Sequence, residues 1–149
     1  MMRGRALAIV ALLAVTGCAT PTTGTPHDPP ATSAPGNELP ALAFHRTGGI
    51  AGVQDDLRIT AAGQLTASSR QRDVRHDTLT AAERAELLAK LRNFSVTDRP
   101  PRPPYQIADG FTYDITVNGR KVRFEDGAVP KPAKELISVL SAIFSRVVR

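Results

Sequence analysis

The chain has 149 residues, a formal charge of +5, no tryptophan and a single cysteine. One cysteine excludes a disulfide framework, and lysines and arginines scattered along the chain give no footprint for DNA or RNA. At this length there is room for one small domain beside its flanking segments.

Arg3 and Arg5 form a basic head, Ala6 to Val15 an apolar run, and Val15-Thr16-Gly17-Cys18 closes it. The run is too short to cross a bilayer, and head, run and small residues before a cysteine resemble the lipobox of bacterial lipoproteins. Residues 1–17 are therefore expected to be a cleaved lipoprotein signal peptide, with lipid (diacylglycerol and palmitate) carried on Cys18. Loss of Arg3 and Arg5 leaves a charge of +3. Two or more acyl chains, at ~0.8 kcal/mol per buried CH2, hold a protein at a membrane. The expected location is the bacterial cell envelope, lipid-anchored, with the domain outside the cytoplasm. Ala19 rather than aspartate after the cysteine resembles outward sorting where a cell has two membranes.

Residues 18–40 contain half of the twelve prolines and almost no large apolar side chain. Such a segment buries too little surface to fold, and extended it reaches on the order of 60 to 70 Å at ~3.1 Å per residue. It reads as a disordered tether, with His27 a solvated residue in it. Residues 41–149 read as an α+β domain, a small antiparallel sheet of four or five strands against two helices in the order ββ(β)αββα.

Leu42, Phe44 and Thr47 lead into Gly48-Gly49, after which Val53, Asp55, Leu57 and Ile59 alternate with polar neighbours, predicting a first hairpin. Ala61-Ala62-Gly63 turns into a weaker strand, and Gln64 to Arg75 reads as an edge strand with a mobile continuation. Thr80-Ala81-Ala82-Glu83 is a capping box that opens a helix with Ala85, Leu88 and Leu91 inward and Leu87 beside them, Leu79 stapling back onto its first turn. Asn93 and the prolines from Pro100 to Pro104 end it.

Phe111 to Val117, Asn118-Gly119 and Arg120 to Glu125 form the clearest hairpin. Asn-Gly suits a two-residue type I′ turn and fixes the register. Tyr113 then faces Phe124 and Ile115 faces Val122 on one side, while Asp114 faces Arg123 on the other. Asp126-Gly127 turns the chain again. Pro132 suits the first turn of a last helix, whose Leu136, Ile137, Leu140, Ile143, Phe144 and Val147 form one apolar face for the core.

No residues assemble a catalytic site by pattern. His45 lies in the first strand, and His76 with Asp73 and Asp77 lacks a positioned nucleophile. Asp55 and Asp56 are adjacent strand residues on opposite faces, so they cannot share one site. No metal-ligand spacing, phosphate loop or cofactor motif occurs. The expectation is a protein that is not an enzyme and needs no cofactor.

Arg46-Thr47-Gly48-Gly49-Ile50-Ala51-Gly52 and Ala108-Asp109-Gly110-Phe111-Thr112-Tyr113-Asp114-Ile115-Thr116-Val117 together resemble emfourin, a family of small protein inhibitors of protealysin and related thermolysin-like zinc metalloproteases. The resemblance spans most of the chain after the tether. This chain departs from the family's small soluble members by its lipobox and tether. It implies a partner protease whose cleft is occluded by loops at one end of the hairpins. Candidate contacts are Gly48, Gly49 and Ile50 in one turn, and Tyr105 and Ile107 in the loop from Arg99 to Ala108. Two readings stay open for the first turn: its glycines serve only positive backbone angles, and Ile50 is either an apolar anchor or core. The alternative for the whole chain is a membrane-anchored interaction module without inhibitory activity.

Overall fold

The structure, a computed structural model, describes residues 38–96 and 107–149, which fall in a compact unit running from Ser33 to Arg149. The expected signal peptide, Cys18, most of the tether and Tyr105 lie outside the described residues.

Six strands and two helices follow in chain order: β1 (Leu42–Gly48), β2 (Val53–Ile59), β3 (Gln64–Ser69), β4 (Arg72–Thr78), α1 (Ala81–Arg92), β5 (Phe111–Val117), β6 (Arg120–Glu125) and α2 (Lys131–Val147). The sheet is antiparallel throughout, in the order β4-β3-β2-β1-β5-β6. The α+β class holds, but the strand count exceeds the expected four or five. The added strand is β4, where a mobile continuation was expected. All seven of its residues are exposed, so no apolar alternation marks it. It is held by its ladder to β3, which carries an irregularity between Ala67 and Ser69.

The last hairpin has the register its Asn-Gly turn dictates: Tyr113 opposite Phe124, Ile115 opposite Val122, Asp114 opposite Arg123. Asn118 and Gly119 have φ of 47° and 80°, the left-handed angles such a turn requires. β1 takes β5 as its second neighbour, with Phe44 opposite Ile115 and Gly48 opposite Phe111. That contact joins residues about seventy apart and leaves no local signal in the sequence.

The core lies on the sheet face covered by the helices. Phe44, Leu57, Ile59, Leu65, Ile115 and Phe124 bury there against Leu136, Leu140, Ile143 and Phe144 of α2. Pro132 sits in the first turn of α2 with Pro130 as its N-cap, where a missing amide costs nothing. In α1 the capping box forms, Glu83 N–H donating to Thr80 Oγ1 at 3.2 Å and Thr80 N–H to Glu83 Oε2 at 2.9 Å. Its inward stripe differs from expectation, since Leu87 is the buried residue and Ala85 is exposed. Leu88 and Leu91 pack at the core margin. Leu39, within the segment read as tether, is 2% exposed and belongs to the core, so the folded unit reaches back before Ala41.

The opposite sheet face is polar. Asp56 bonds His45 there at 2.8 Å, whereas Asp55 pairs with Arg46 on the helix side. The two acids are thus divided between faces by the strand's two-residue period. Asp77 turns away from His76 to the Arg146 guanidinium, while His76 lies 3.3 Å from Thr66 Oγ1.

Candidate functional site at one end of the sheet

Antiparallel strands place alternate connections at opposite ends of a sheet. One end collects the β1–β2 turn, the β3–β4 turn and the approach to β5; the other holds Asn118-Gly119. The two segments that carry the candidate contacts therefore meet. Gly49 N–H faces the Gly110 carbonyl oxygen at 3.4 Å, and Gly52 N–H closes the turn onto Gly49 O at 3.0 Å.

The glycines have steric as well as conformational reasons. Gly48 has φ of 113°, and a Cβ there would strike the Gly110 carbonyl oxygen. Gly49 has φ of 71°, and a Cβ would lie 2.8 Å from the Phe111 ring. Only glycine fits both the angle and the space. Gly48 and Gly49 thus shape the turn by letting two backbones touch, and the reading that they merely permit positive angles is incomplete.

Ile50, at the apex, is 91% exposed. It is not core. Ile107, where the described chain resumes, is 42% exposed, and Asp109 takes a left-handed φ of 62° to return the chain to β5. Gly110 N–H donates to Ile107 O at 3.1 Å. A β-branched aliphatic side chain, stiff at χ1 and exposed on a locked turn, loses little further freedom when it docks, so the arrangement is suited to inserting an apolar group into a complementary pocket.

Beneath the apex the support is dense. Phe111 N–H donates to Asp126 Oδ2 at 2.7 Å, and Asp126 N–H returns to Phe111 O at 2.9 Å. The Arg46 guanidinium lies 5.5 Å above the Phe111 ring while paired with the buried Asp55. Tyr113 stacks with Phe44 at 6.4 Å. Burial, and then the Asp126 carboxylate that it hydrogen-bonds, pushes the Tyr113 hydroxyl up to about 12. Asp126 therefore ties the β5 entry to the end of β6 through two donors, a role with no sequence signal beyond Asp-Gly as a turn.

A second feature of this end had no part in the sequence expectations. Arg70 and Gln71 form the β3–β4 turn, and Arg70 N–H donates to Gln54 O at 2.9 Å. A Cβ on Gly52 would lie 3.3 Å from an Arg70 guanidinium nitrogen, so this arginine lies directly against the apical turn.

Among the described residues no group of three or more histidine, cysteine, aspartate or glutamate side chains could hold a metal, and no helix is long and apolar enough to cross a membrane. The site offers shape, an apolar apex and charge. A family model described as Emfourin matches residues 44–141, more than half of the chain. The match takes in both halves of the apical site, from Phe44 through Gly52 and from Ile107 through the last hairpin. No curated protein matches the chain.

Proposed function

The chain belongs to the emfourin family, and from that premise, which makes its domain one of protease-inhibitor type, we propose that it occludes the cleft of a thermolysin-like zinc metalloprotease. Ile50 enters the cleft, Ile107 lies beside it, and Gly48 and Gly49 hold the turn that presents them. The observation that carries this reading is Ile50, 91% exposed on a turn locked by contact with Gly110 and Phe111. Loops on a rigid sheet bind without chemistry of their own and resist being cut when their ordering is already complete.

Residues 1–17 act as a signal peptide, Cys18 carries the lipid, and residues 18–40 serve mainly as tether. Ala41 bonds Asn118 through both its N–H and its carbonyl, at 3.1 and 2.9 Å. The chain therefore joins the sheet at the end opposite Ile50, which supports an anchored domain that presents its apex outward.

The test is titration of residues 33–149, a fragment that keeps Leu39, against protealysin with a peptide substrate. Saturable inhibition near one-to-one with the fragment uncleaved is expected. Full protease activity at large excess, with a cooperative melting transition intact, would leave the non-inhibitory interaction module as the better reading. Separately, Cys18→Ala is expected to move the full chain from the membrane to the soluble fraction.

A further inference from the structure

At the corner between the β3–β4 turn and the end of α2, a cleft of about 610 Å3 is lined by Arg70, Arg72, Arg75 and Arg149, with Asp73 the one acid in its wall. All four arginines are exposed. Three other arginines are neutralised: Arg46 with Asp55 and Arg123 with Asp114 in the sheet, and Arg146 of α2 with Glu83. Here, among the described residues, Arg72 reaches the Val148 carbonyl, which accepts a hydrogen bond without cancelling charge.

Turn chemistry does not account for these residues. A two-residue hairpin turn ordinarily uses Asn, Asp or Gly for positive backbone angles. The β5–β6 turn does so with Asn118-Gly119, but the β3–β4 turn carries Arg70-Gln71 and neither has positive φ. With negative φ the backbone neither demands glycine or asparagine there nor selects arginine, so the charge at this turn is free to serve the surface. Its position is specific, since Arg70 lies against Gly52 of the apical turn.

We infer that this basic corner is a docking flank for an acidic surface at the rim of the protease cleft, and that it governs how fast the inhibitor associates. The inference rests on the inhibitor reading above. Exposed charges beside an apolar anchor act chiefly on encounter: their field reaches about a Debye length and orients the partner before contact, raising association rates by about 10- to 1,000-fold at low salt. Once the apex is seated, the rim stays solvated and adds little to the lifetime of the complex.

The experiment uses the full-length chain in detergent and the protease it inhibits. Association and dissociation are followed by progress curves at 50 and 500 mM NaCl. Three forms are compared: unsubstituted, Arg70→Glu with Arg75→Glu, and Arg70→Lys with Arg75→Lys. At low salt the charge reversal is expected to slow association about 10-fold or more and to leave dissociation within about twofold. The lysine form should stay near the unsubstituted rate, and high salt should bring all three together. Melting temperatures within a few degrees of one another would show that the exposed positions are structurally silent.

Equal association rates for all forms at low salt would overturn the inference while leaving the inhibitor reading in place. So would a loss expressed in dissociation and indifferent to salt, or charge-dependent pelleting on phosphatidylglycerol vesicles with association to the protease unchanged. Failure of the unsubstituted chain to inhibit would remove both readings together.

Discussion

The two ends of the sheet use the same residue type for different ends. At Asn118-Gly119 the glycine has φ of 80° with nothing within 4 Å of where its Cβ would stand, whereas at the apex Gly48 and Gly49 have positive angles and are also pressed against Gly110 and Phe111. The first turn needs an angle; the second needs an angle and the absence of a side chain. A glycine demanded twice marks the place where two loops have been brought into contact, and here that place lies directly under the exposed Ile50.

The contrast can be broken at its strongest point first. Gly48→Ala is expected to cost about 3 kcal/mol or more, combining left-handed backbone strain with a collision against main chain that cannot move aside. A denaturant titration measures it, and inhibition should fall with it. Asp126→Ala should cost about 1 to 3 kcal/mol by leaving the Phe111 amide and the Tyr113 hydroxyl short of a partner. In the same variant an absorbance titration should find the phenol ionising below its native value of about 12.

Acid sharpens the comparison at the far half of β5. Hydrogen bonds from Arg123, aided by Lys121 and opposed by burial, hold the Asp114 carboxyl down to about 2. A carboxylate with a lowered folded pKa stabilises above its unfolded value near 3.9 and loses that contribution as pH falls through its folded value. Stability should therefore decline between about pH 4 and 2 by on the order of 2 kcal/mol from this group. Asp114→Asn should flatten that part of the curve.

Gly119→Ala, strained in angle but free in space, should cost only about 1 kcal/mol. Ile50→Ala should change stability by less than ~0.5 kcal/mol, yet weaken inhibition about 10-fold or more, as a central apolar anchor does. An Ile50→Ala variant that inhibits as well as the unsubstituted chain would displace the apex from its proposed role.

Where local chemistry dictates geometry, the sequence could be read to the residue. Asn-Gly fixed the β5–β6 register, Thr80 and Glu83 announced α1, and the period of Leu136, Leu140 and Phe144 announced the buried face of α2. What escaped has the opposite character. β4 is held by its ladder to β3 and by polar contacts to the end of α2, with no buried apolar side chain, so it carries no alternation, and Ala85 looked inward because α1 has only Leu87 fully buried to set its phase. The adjacency of Gly48 and Gly110 depends on the β1–β5 pairing, which no window of sequence contains. The candidate site was thus legible as two segments assigned to one end of the hairpins but not as the backbone contact that joins them, and its basic flank was hidden because arginines in a turn look like ordinary solvated charge.

β1 has a full seven-residue ladder on each side, to β2 and to β5, and the chain joins the sheet at its first residues. A pull delivered through the residues before Leu39 is directed along β1 and loads both ladders in shear. Their hydrogen bonds must then yield together rather than peel apart singly. A partner seated on Ile50 supplies the opposing force, so the load runs along β1 into the apical turn, where the two ladders and the contact of Gly48 and Gly49 with Gly110 and Phe111 hold it.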